Sequence, residues 1–341
     1  MPSLTAENLI IALKKLNTFI GSPDEAFQAK IRLAALANSW FTPEAVELAL
    51  GGIREMLNEE DLHQWFSGIR IAARPQRIGL ILAGNIPMVG FHDVLCVLAT
   101  GNTALIKLSS SDDKLLPAVL DKLTGFEPGL RERIVYTDRL KDFDAVIATG
   151  SNNTSRYFEY YFGKVPNIIR RNRNSVAILT GEESPEEIAA LGHDIFDYFG
   201  MGCRNVSKVY LPSDYDVSKL FVPLESYKGI INHFKYNNNY DYNKSIYLVN
   251  QTLHYDNGFL LLKEDQAIAS PLAVVYFEYY DTLDSVISAL NERRDEIQCV
   301  TGRLSGDCGL PIVNFGQSQH PRLWDYADEV NTITFLCALQ D

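Results

Sequence analysis

The residues best suited to chemistry form four short stretches. In YFGMGCRNVSKVYLP, residues 198–212, Cys203 sits in a Gly-Met-Gly-Cys turn ahead of a strand pattern, with Arg204 and Lys208 following it. Structural cysteines usually lie inside apolar runs. A reactive thiol needs backbone room, a positive field and partial access, and Gly200 and Gly202 supply the room. The stretch by itself leaves a structural and a reactive thiol both open.

Three other stretches end strand patterns. AGNIP (83–87) puts Asn85 in a turn, where its amide is either a turn-former or a donor to an oxyanion. NTALIKLSS (102–110) closes an apolar run with Lys107, followed by Ser109 and Ser110. That lysine is either a surface cation or a contact for ribose or phosphate. IATGSNNTS (147–155) places Gly150 and Ser151 at the opening of a helix, a position that suits a phosphate. None of these is a G-x-G-x-x-G or G-x-x-x-x-G-K-S loop.

Elements to position these residues are legible around them. The first seventy residues read as helices, including TPEAVELALGGIREML, with Thr42 as N-cap and Pro43 in the first turn. From residue 77, short apolar strands alternate with helices: RIGLILAG, NTALIKLS, RIVYT, DAVIATG, NIIRR, SVAILTG and SKVYLP. That alternation predicts doubly wound, largely parallel sheets. SPEEIAALGHDIFDYFG opens with a capping box, Ser184 to Glu187, and leads into the Cys203 turn. PLAVVYFEYY, a helix in TLDSVISALNERR and a last strand, NTITFL, complete a second α/β unit. YNNNYDYNKS (236–245) reads as a polar, Tyr/Asn-rich inserted loop. The expected domains are 1–180 (helical N-terminus plus dinucleotide-binding α/β domain), 181–325 (catalytic α/β domain) and 326–341 (a C-terminal strand for oligomerisation or inter-domain contact).

Composition excludes several classes. A net charge of −12 over 341 residues argues against general nucleic-acid binding. No apolar run reaches the ~18 residues of a membrane span, and the start MPSLTAENLIIALKK has no signal-peptide pattern. The five cysteines are scattered without a C-x-x-C pair, which fits the cytoplasm and predicts neither a disulfide framework nor a metal site. Cys96 reads as a core thiol, and Cys299 and Cys308 as semi-exposed beside a Gly-rich turn.

In order, Asn-x-Pro after the first strand, Gly-Asn-x-x-x-x-Lys, the Thr-Gly-Ser turn and Gly-x-x-Cys before a strand resemble the aldehyde dehydrogenase superfamily, with a weaker echo in NFGQ (314–317). GMGCRNVSKVYLP and WDYADEVNTITFL resemble, more closely, the LuxC-type fatty acyl-CoA reductases. The resemblance implies an aldehyde-dehydrogenase-like fold, with two doubly wound α/β domains and a helical N-terminal segment. It also implies an acyl-CoA or other acyl thioester as substrate, a homo-oligomer such as a dimer, and a short N-terminus that leaves cofactor binding incomplete or dependent on a partner subunit. Cys203 would carry the acyl group as a thioester, and Asn85 with the Cys203 N–H would hold the oxyanion. Lys107, with Ser109 and Ser110, would meet the adenosine ribose or its phosphate; Gly150 and Ser151 would lie against the nicotinamide side.

Three departures refine this. Hydrolysing relatives carry Glu-Leu-Gly-Gly where this chain has IIRRNRN, and no Asp or Glu occurs from residue 160 to 181. Arg170 or Arg171 stands for the base that would activate water, which favours acyl exchange with a thiol. Ser110 replaces the Glu common in NAD-preferring relatives, so NADPH is the expected cofactor. Ala267 stands where a cofactor-ribose Glu is expected, with Glu264 or Asp265 as candidate substitutes. The expected activity is NADPH-dependent reduction of an acyl thioester to an aldehyde. Two rivals stay open: a glutamyl-phosphate-reductase-like enzyme, and a non-redox acyltransferase, thioesterase or acyl-CoA-binding protein.

Overall fold

The computed structural model describes residues 4–304 and 308–340. They divide into two compact units, residues 1–172 with 320–341 and residues 173–319.

The first unit opens with four helices: α1 (Ala6–Gly21), α2 (Glu25–Ala37), α3 (Pro43–Met56) and α4 (Glu59–Ser67). Each starts on a side-chain cap, Thr5, Asp24, Thr42 and Asn58 respectively, which occupies one orphan N–H of the first turn. The sheet follows: β1 (Arg77–Ile81), α5 (Phe91–Ala99), β2 (Thr103–Lys107), α6 (Leu115–Phe126), β3 (Ile134–Tyr136), β4 (Ala145–Thr149), α7 (Asn152–Phe162) and β5 (Asn167–Arg170). These strands are parallel, in the order β3-β2-β1-β4-β5. Ile78, Leu80, Ala104, Ile106, Val146 and Ala148 are buried, as expected of strands covered on both faces. Strand order reverses between β1 and β4, and ligands of open α/β sheets lie outside the carboxyl ends at such a point.

The second unit runs β6 (Asn174–Ile178), α8 (Pro185–Phe196), β7 (Val206–Pro212), the short α9 (Phe221–Leu224), α10 (Phe234–Val249), β8 (Tyr255–Asp256), β9 (Leu261–Glu264), β10 (Val274–Tyr280), α11 (Leu283–Glu292), β11 (Ile297–Thr301) and β12 (Ile312–Val313). Its sheet has the order β12-β11-β6-β7-β10-β9-β8, parallel except for β8 against β9. Val209 and Leu211 of β7 face Leu191, Ile195 and Phe259, while Tyr210 faces Val286 and Leu290. Two apolar layers therefore cover the sheet. No helix among the described residues is long and apolar enough to cross a membrane.

Two sequence expectations are corrected. YNNNYDYNKS lies within α10, not a loop. Tyr236, Tyr240, Asn243 and Tyr247 recur at helical spacing and are buried. The Tyr236 hydroxyl donates to Phe259 O at 3.0 Å, and Asn243 Nδ2 donates to Leu272 O at 3.0 Å. Polar composition hid a packed face whose polar tips all find partners. The expected final strand NTITFL is a helix, α12 (Thr332–Ala338). Asn331 caps it by accepting from Thr334 N at 2.9 Å, and Thr332, Ile333 and Leu336 form its buried face. β-Branched residues suggested a strand there; the cap and packing against α5 decided otherwise.

Candidate active site

At the carboxyl edge of the first sheet, the structure gathers six of the seven residues singled out in the sequence. Asn85 lies exposed in the bend after β1, Lys107 ends β2, Ser109 and Ser110 follow it, and Gly150–Ser151 joins β4 to α7. A cleft of about 390 Å³ is lined by Lys107, Ser109, Ser110, Asp113, Tyr136 and Asp138 among others. Lys114 Nζ meets the Asp113 carboxylate at 3.0 Å. Asp112, which sequence reasoning passed over, ties these loops together. It is buried, its backbone N–H donates to Ser109 O at 3.1 Å, and its carboxylate accepts from Met88 N at 2.6 Å. Burial pushes its carboxyl above the ordinary value, against the hydrogen bond from Met88 N. Met88 needs that anchor, because its φ of 55° is left-handed. Gly84 has no room for a side chain: a Cβ there would meet Ser109 Oγ at 2.5 Å. Ser151 caps α7, its hydroxyl accepting from Thr154 N at 3.2 Å.

In the second unit, Cys203 is half-buried in the turn before β7. α8 keeps the expected capping box, Ser184 with Glu187, and stops at Phe196. Tyr198, Phe199 and Gly200 follow with φ of 53°, 60° and 79°. Two non-glycine residues in succession there cost ~1–3 kcal/mol each and reverse the chain sharply toward β7. The turn is then fixed from below. Asn205 N–H donates to Gly202 O at 3.1 Å, and the Asn205 side-chain oxygen accepts Gly202 N–H at 2.7 Å. Ser175 on β6 donates its hydroxyl to Cys203 O at 3.2 Å. Its oxygen lies 3.1 Å from Cys299 Sγ. With the single Ser175 proton committed, the Cys299 thiol is the donor. Burial pushes that thiol up and keeps it protonated. Cys299 and Cys308 are both buried, contrary to their expected partial exposure; residues 305–307 of the intervening turn lie outside the described residues.

The arginines of IIRRNRN go separate ways. Arg170, at the end of β5, is 5% exposed and forms an ion pair with Asp93 of α5. Its Nη2 donates to Thr332 Oγ1 of α12 at 3.0 Å. Arg171 pairs with Glu159, and Arg173 caps the carbonyls of Arg294 and Ile297 at 3.1 and 3.0 Å. Each arginine is committed structurally.

Other carboxylates are placed by topology. Cys203 stands at the amino edge of β7, and β6 runs parallel to it. Glu182 and Glu183 follow β6 and so lie at the opposite edge, with a five-residue strand rising about 3.3 Å per residue in between. Glu183 accepts from Thr180 N (2.7 Å), Thr180 Oγ1 (2.8 Å) and Gly181 N (3.0 Å) as a loop staple. Glu264 ends β9 at that far edge too. Asp265 is ion-paired with Lys263, which holds its carboxyl below the ordinary range, and accepts from Ala267 N at 2.9 Å. The loop carrying Ala267 returns to the start of β7, where the Ser207 hydroxyl donates to Ile268 O at 2.7 Å. Asn205, Ser175 and Asp112 are thus the supporting residues that sequence reasoning missed. An Asn two residues past a candidate nucleophile was the one available signal.

These two parallel sheets, with a cysteine turn entering the second, define an aldehyde-dehydrogenase-like fold. Solved structures share that fold. An indole-3-acetaldehyde dehydrogenase with NAD+ superposes with a TM-score of 0.64 at 13% identity, covering 88% of this chain and 72% of that one. An oxidoreductase from Marinobacter aquaeolei gives 0.65 at 11% identity, covering 94% and 80%. An NAD+ complex of an aldehyde dehydrogenase from Bacillus cereus gives 0.60 at 15%, covering 87% and 72%. Residues 40–218 match the family described as acyl-CoA reductase (LuxC), and the chain belongs to that family. A long-chain acyl-protein thioester reductase from Aliivibrio fischeri is 25% identical over 226 residues, 59% of this chain and 45% of that protein. The chain thus spans less than half the length of this curated relative.

Proposed function

We propose that the chain reduces an acyl thioester, such as a fatty acyl-CoA, to the aldehyde through a Cys203 acyl-enzyme with NADPH as reductant. The observation that carries this reading is the Cys203 turn itself: a half-buried thiol on a peptide unit braced by Ser175 and Asn205. The sulfur bonds to the acyl carbon while the carbon–sulfur bond to the leaving thiol breaks, and that thiolate departs with the electron pair. Asn85 takes the oxyanion role by resemblance alone. With Arg170 locked to Asp93, the end of β5 offers no base for water. The printed name of the Aliivibrio fischeri relative, a thioester reductase, supports the same substrate chemistry.

A nicotinamide cofactor, when bound, supplies the hydride. Lys107, Ser109 and Ser110 would hold its adenosine ribose and 2′-phosphate, since they bring a cation and two hydroxyls to a cleft whose lining also includes Tyr136, Thr137, Asp138 and Asp113, the last held by Lys114. Gly150 and Ser151 would lie against the nicotinamide side.

The test is single-turnover acylation. Acyl-CoA without NADPH adds the acyl mass to the Cys203 peptide, and the adduct persists in water but disappears on adding NADPH or coenzyme A. Cys203→Ala loses adduct and turnover; Cys337→Ala, which removes the other half-buried thiol, keeps both. Rapid release of free acid without a thiol would make the protein a thioesterase, and normal turnover by Cys203→Ala would end the reading.

A further inference from the structure

The turn that presents Cys203 is controlled by one side chain that no motif marks. Asn205 is 2% exposed. Its carboxamide oxygen accepts the Gly202 N–H at 2.7 Å, and its nitrogen donates to Asp197 O at 2.8 Å and Asp194 O at 3.1 Å, with Ile195 O at 3.5 Å. Both the oxygen and the nitrogen of the side chain are therefore engaged between the cysteine turn and the end of α8.

We propose that Asn205 is the positioning residue for the Cys203 nucleophile, orienting its peptide group and covering the carbonyl end of α8 that would otherwise oppose a thiolate.

This rests on the reading of Cys203 as the nucleophile, and two geometric consequences support it. The Gly202 carbonyl is turned inward to the Asn205 N–H. In a planar trans peptide the N–H points opposite to the C=O. The Cys203 N–H, which shares that peptide, is thus aimed away from Asn205, and the Asn205 side chain holds the preceding peptide in place through Gly202 N–H. Second, α8 runs toward the turn and presents its negative end. The Asn205 amide caps three of the carbonyls that make up that end. Other charged or titratable groups of this unit around the turn are Arg204 on the turn itself, Asp194 and Asp197 at the end of α8, His193 paired with Asp197 at 3.2 Å, and Cys299 on β11. Asp194 is turned away, accepting from Gly316 N and Ser318 N at 2.6 and 2.9 Å.

The substitutions Asn205→Asp and Asn205→Ala separate the two roles. Aspartate keeps an acceptor for Gly202 N–H but removes the donor to the α8 carbonyls and adds charge. Alanine removes both. The first measurement is the pH dependence of iodoacetamide alkylation at the Cys203 peptide, followed by mass without any substrate. Asn205→Asp moves its midpoint to higher pH than in the parent protein, with the melting temperature as a folding control. The second is the maximal rate of single-turnover acylation by acyl-CoA. Asn205→Ala lowers it roughly 10²-fold, the cost of a misplaced reacting group, with half-saturation little changed. If Asn205→Ala does not fold, the aspartate variant alone decides. An unchanged alkylation midpoint in folded Asn205→Asp overturns the proposal, as does parental acylation by folded Asn205→Ala. Absence of acylation in the parent protein would instead refute the nucleophile reading, leaving the alkylation result to judge Asn205 separately.

Discussion

Arg170 gives the sharpest test of how the end of β5 is built. Its guanidinium pairs with Asp93, itself buried, and donates to Thr332, so the contact joins β5, α5 and α12. Burial works against the charge on Arg170, and Asp93 outweighs it, holding the group above its ordinary value. Replacing Arg170 by Met leaves the Asp93 carboxylate buried without a partner. Breaking one side of a buried pair costs about 3–5 kcal/mol. At roughly 2–4 °C per kcal/mol for a domain of this size, the melting temperature should fall by about 6–20 °C. The double variant Arg170→Met with Asp93→Leu removes both charges and should recover most of that loss. Urea unfolding of the parent, both single variants and the double variant gives the coupling energy directly, provided each transition is two-state. An Arg170 that faced a ligand phosphate would behave as a surface residue, with a change near 0.5 kcal/mol and no coupling to Asp93. Small, additive effects in the cycle would refute the structural assignment.

Three further outcomes follow from the same structure. NADPH should bind about tenfold more tightly than NADH, one charge-assisted contact of ~1.4 kcal/mol at Lys107, and Ser110→Glu should reverse the order in a fluorescence titration; equal affinities would count against it. Iodoacetamide at neutral pH should label Cys203 and Cys337 before Cys96, whose thiol burial raises well above its ordinary value, and early labelling of Cys96 would contradict that burial. Burial raises the Asp194 carboxyl above 3.8, more than the N–H groups of Gly316 and Ser318 lower it. The folded protein then binds that proton more tightly than the unfolded chain, so its contribution to stability falls as pH rises from 3.8 through the folded value. Asn at 194 should remove that slope and cost about 1–3 kcal/mol at neutral pH, because one N–H loses its acceptor; an unchanged pH–stability curve would exclude the effect.

The parallel sheets, most helix starts and the strand-end positions of Asn85, Lys107, Gly150 and Cys203 were legible because caps, glycines and apolar runs act locally. What was not legible depends on contacts distant in sequence. Tyr236, Tyr240 and Tyr247 count as polar by composition, yet all three are buried, and the Phe259 carbonyl and Asp256 meet the hydroxyls of Tyr236 and Tyr240. In IIRRNRN, Arg170 closes β5 and turns inward to a carboxylate 77 positions away, while Arg171, just past the strand, turns out to Glu159. Asn205 showed only its place two residues past Cys203, because its partners lie in a helix end and a turn that only the folded chain brings together.

The arginine at the end of β5 is tied into the fold rather than confined to one position. The resemblance sets Arg170 or Arg171 where hydrolysing relatives place Glu, and the counter-charge of Arg170 is a buried aspartate. Putting Glu back at 170 would set two carboxylates against each other in a buried setting. One of them would then take up a proton, and a protonated or displaced carboxyl cannot activate water at neutral pH. Thr332 would also lose its guanidinium partner, loosening the contact of α12 with β5. A hydrolytic enzyme is therefore not one substitution away. The charge at 93 and the α12 contact would have to change with it, because Arg170 and Asp93 also set how α12 packs on β5.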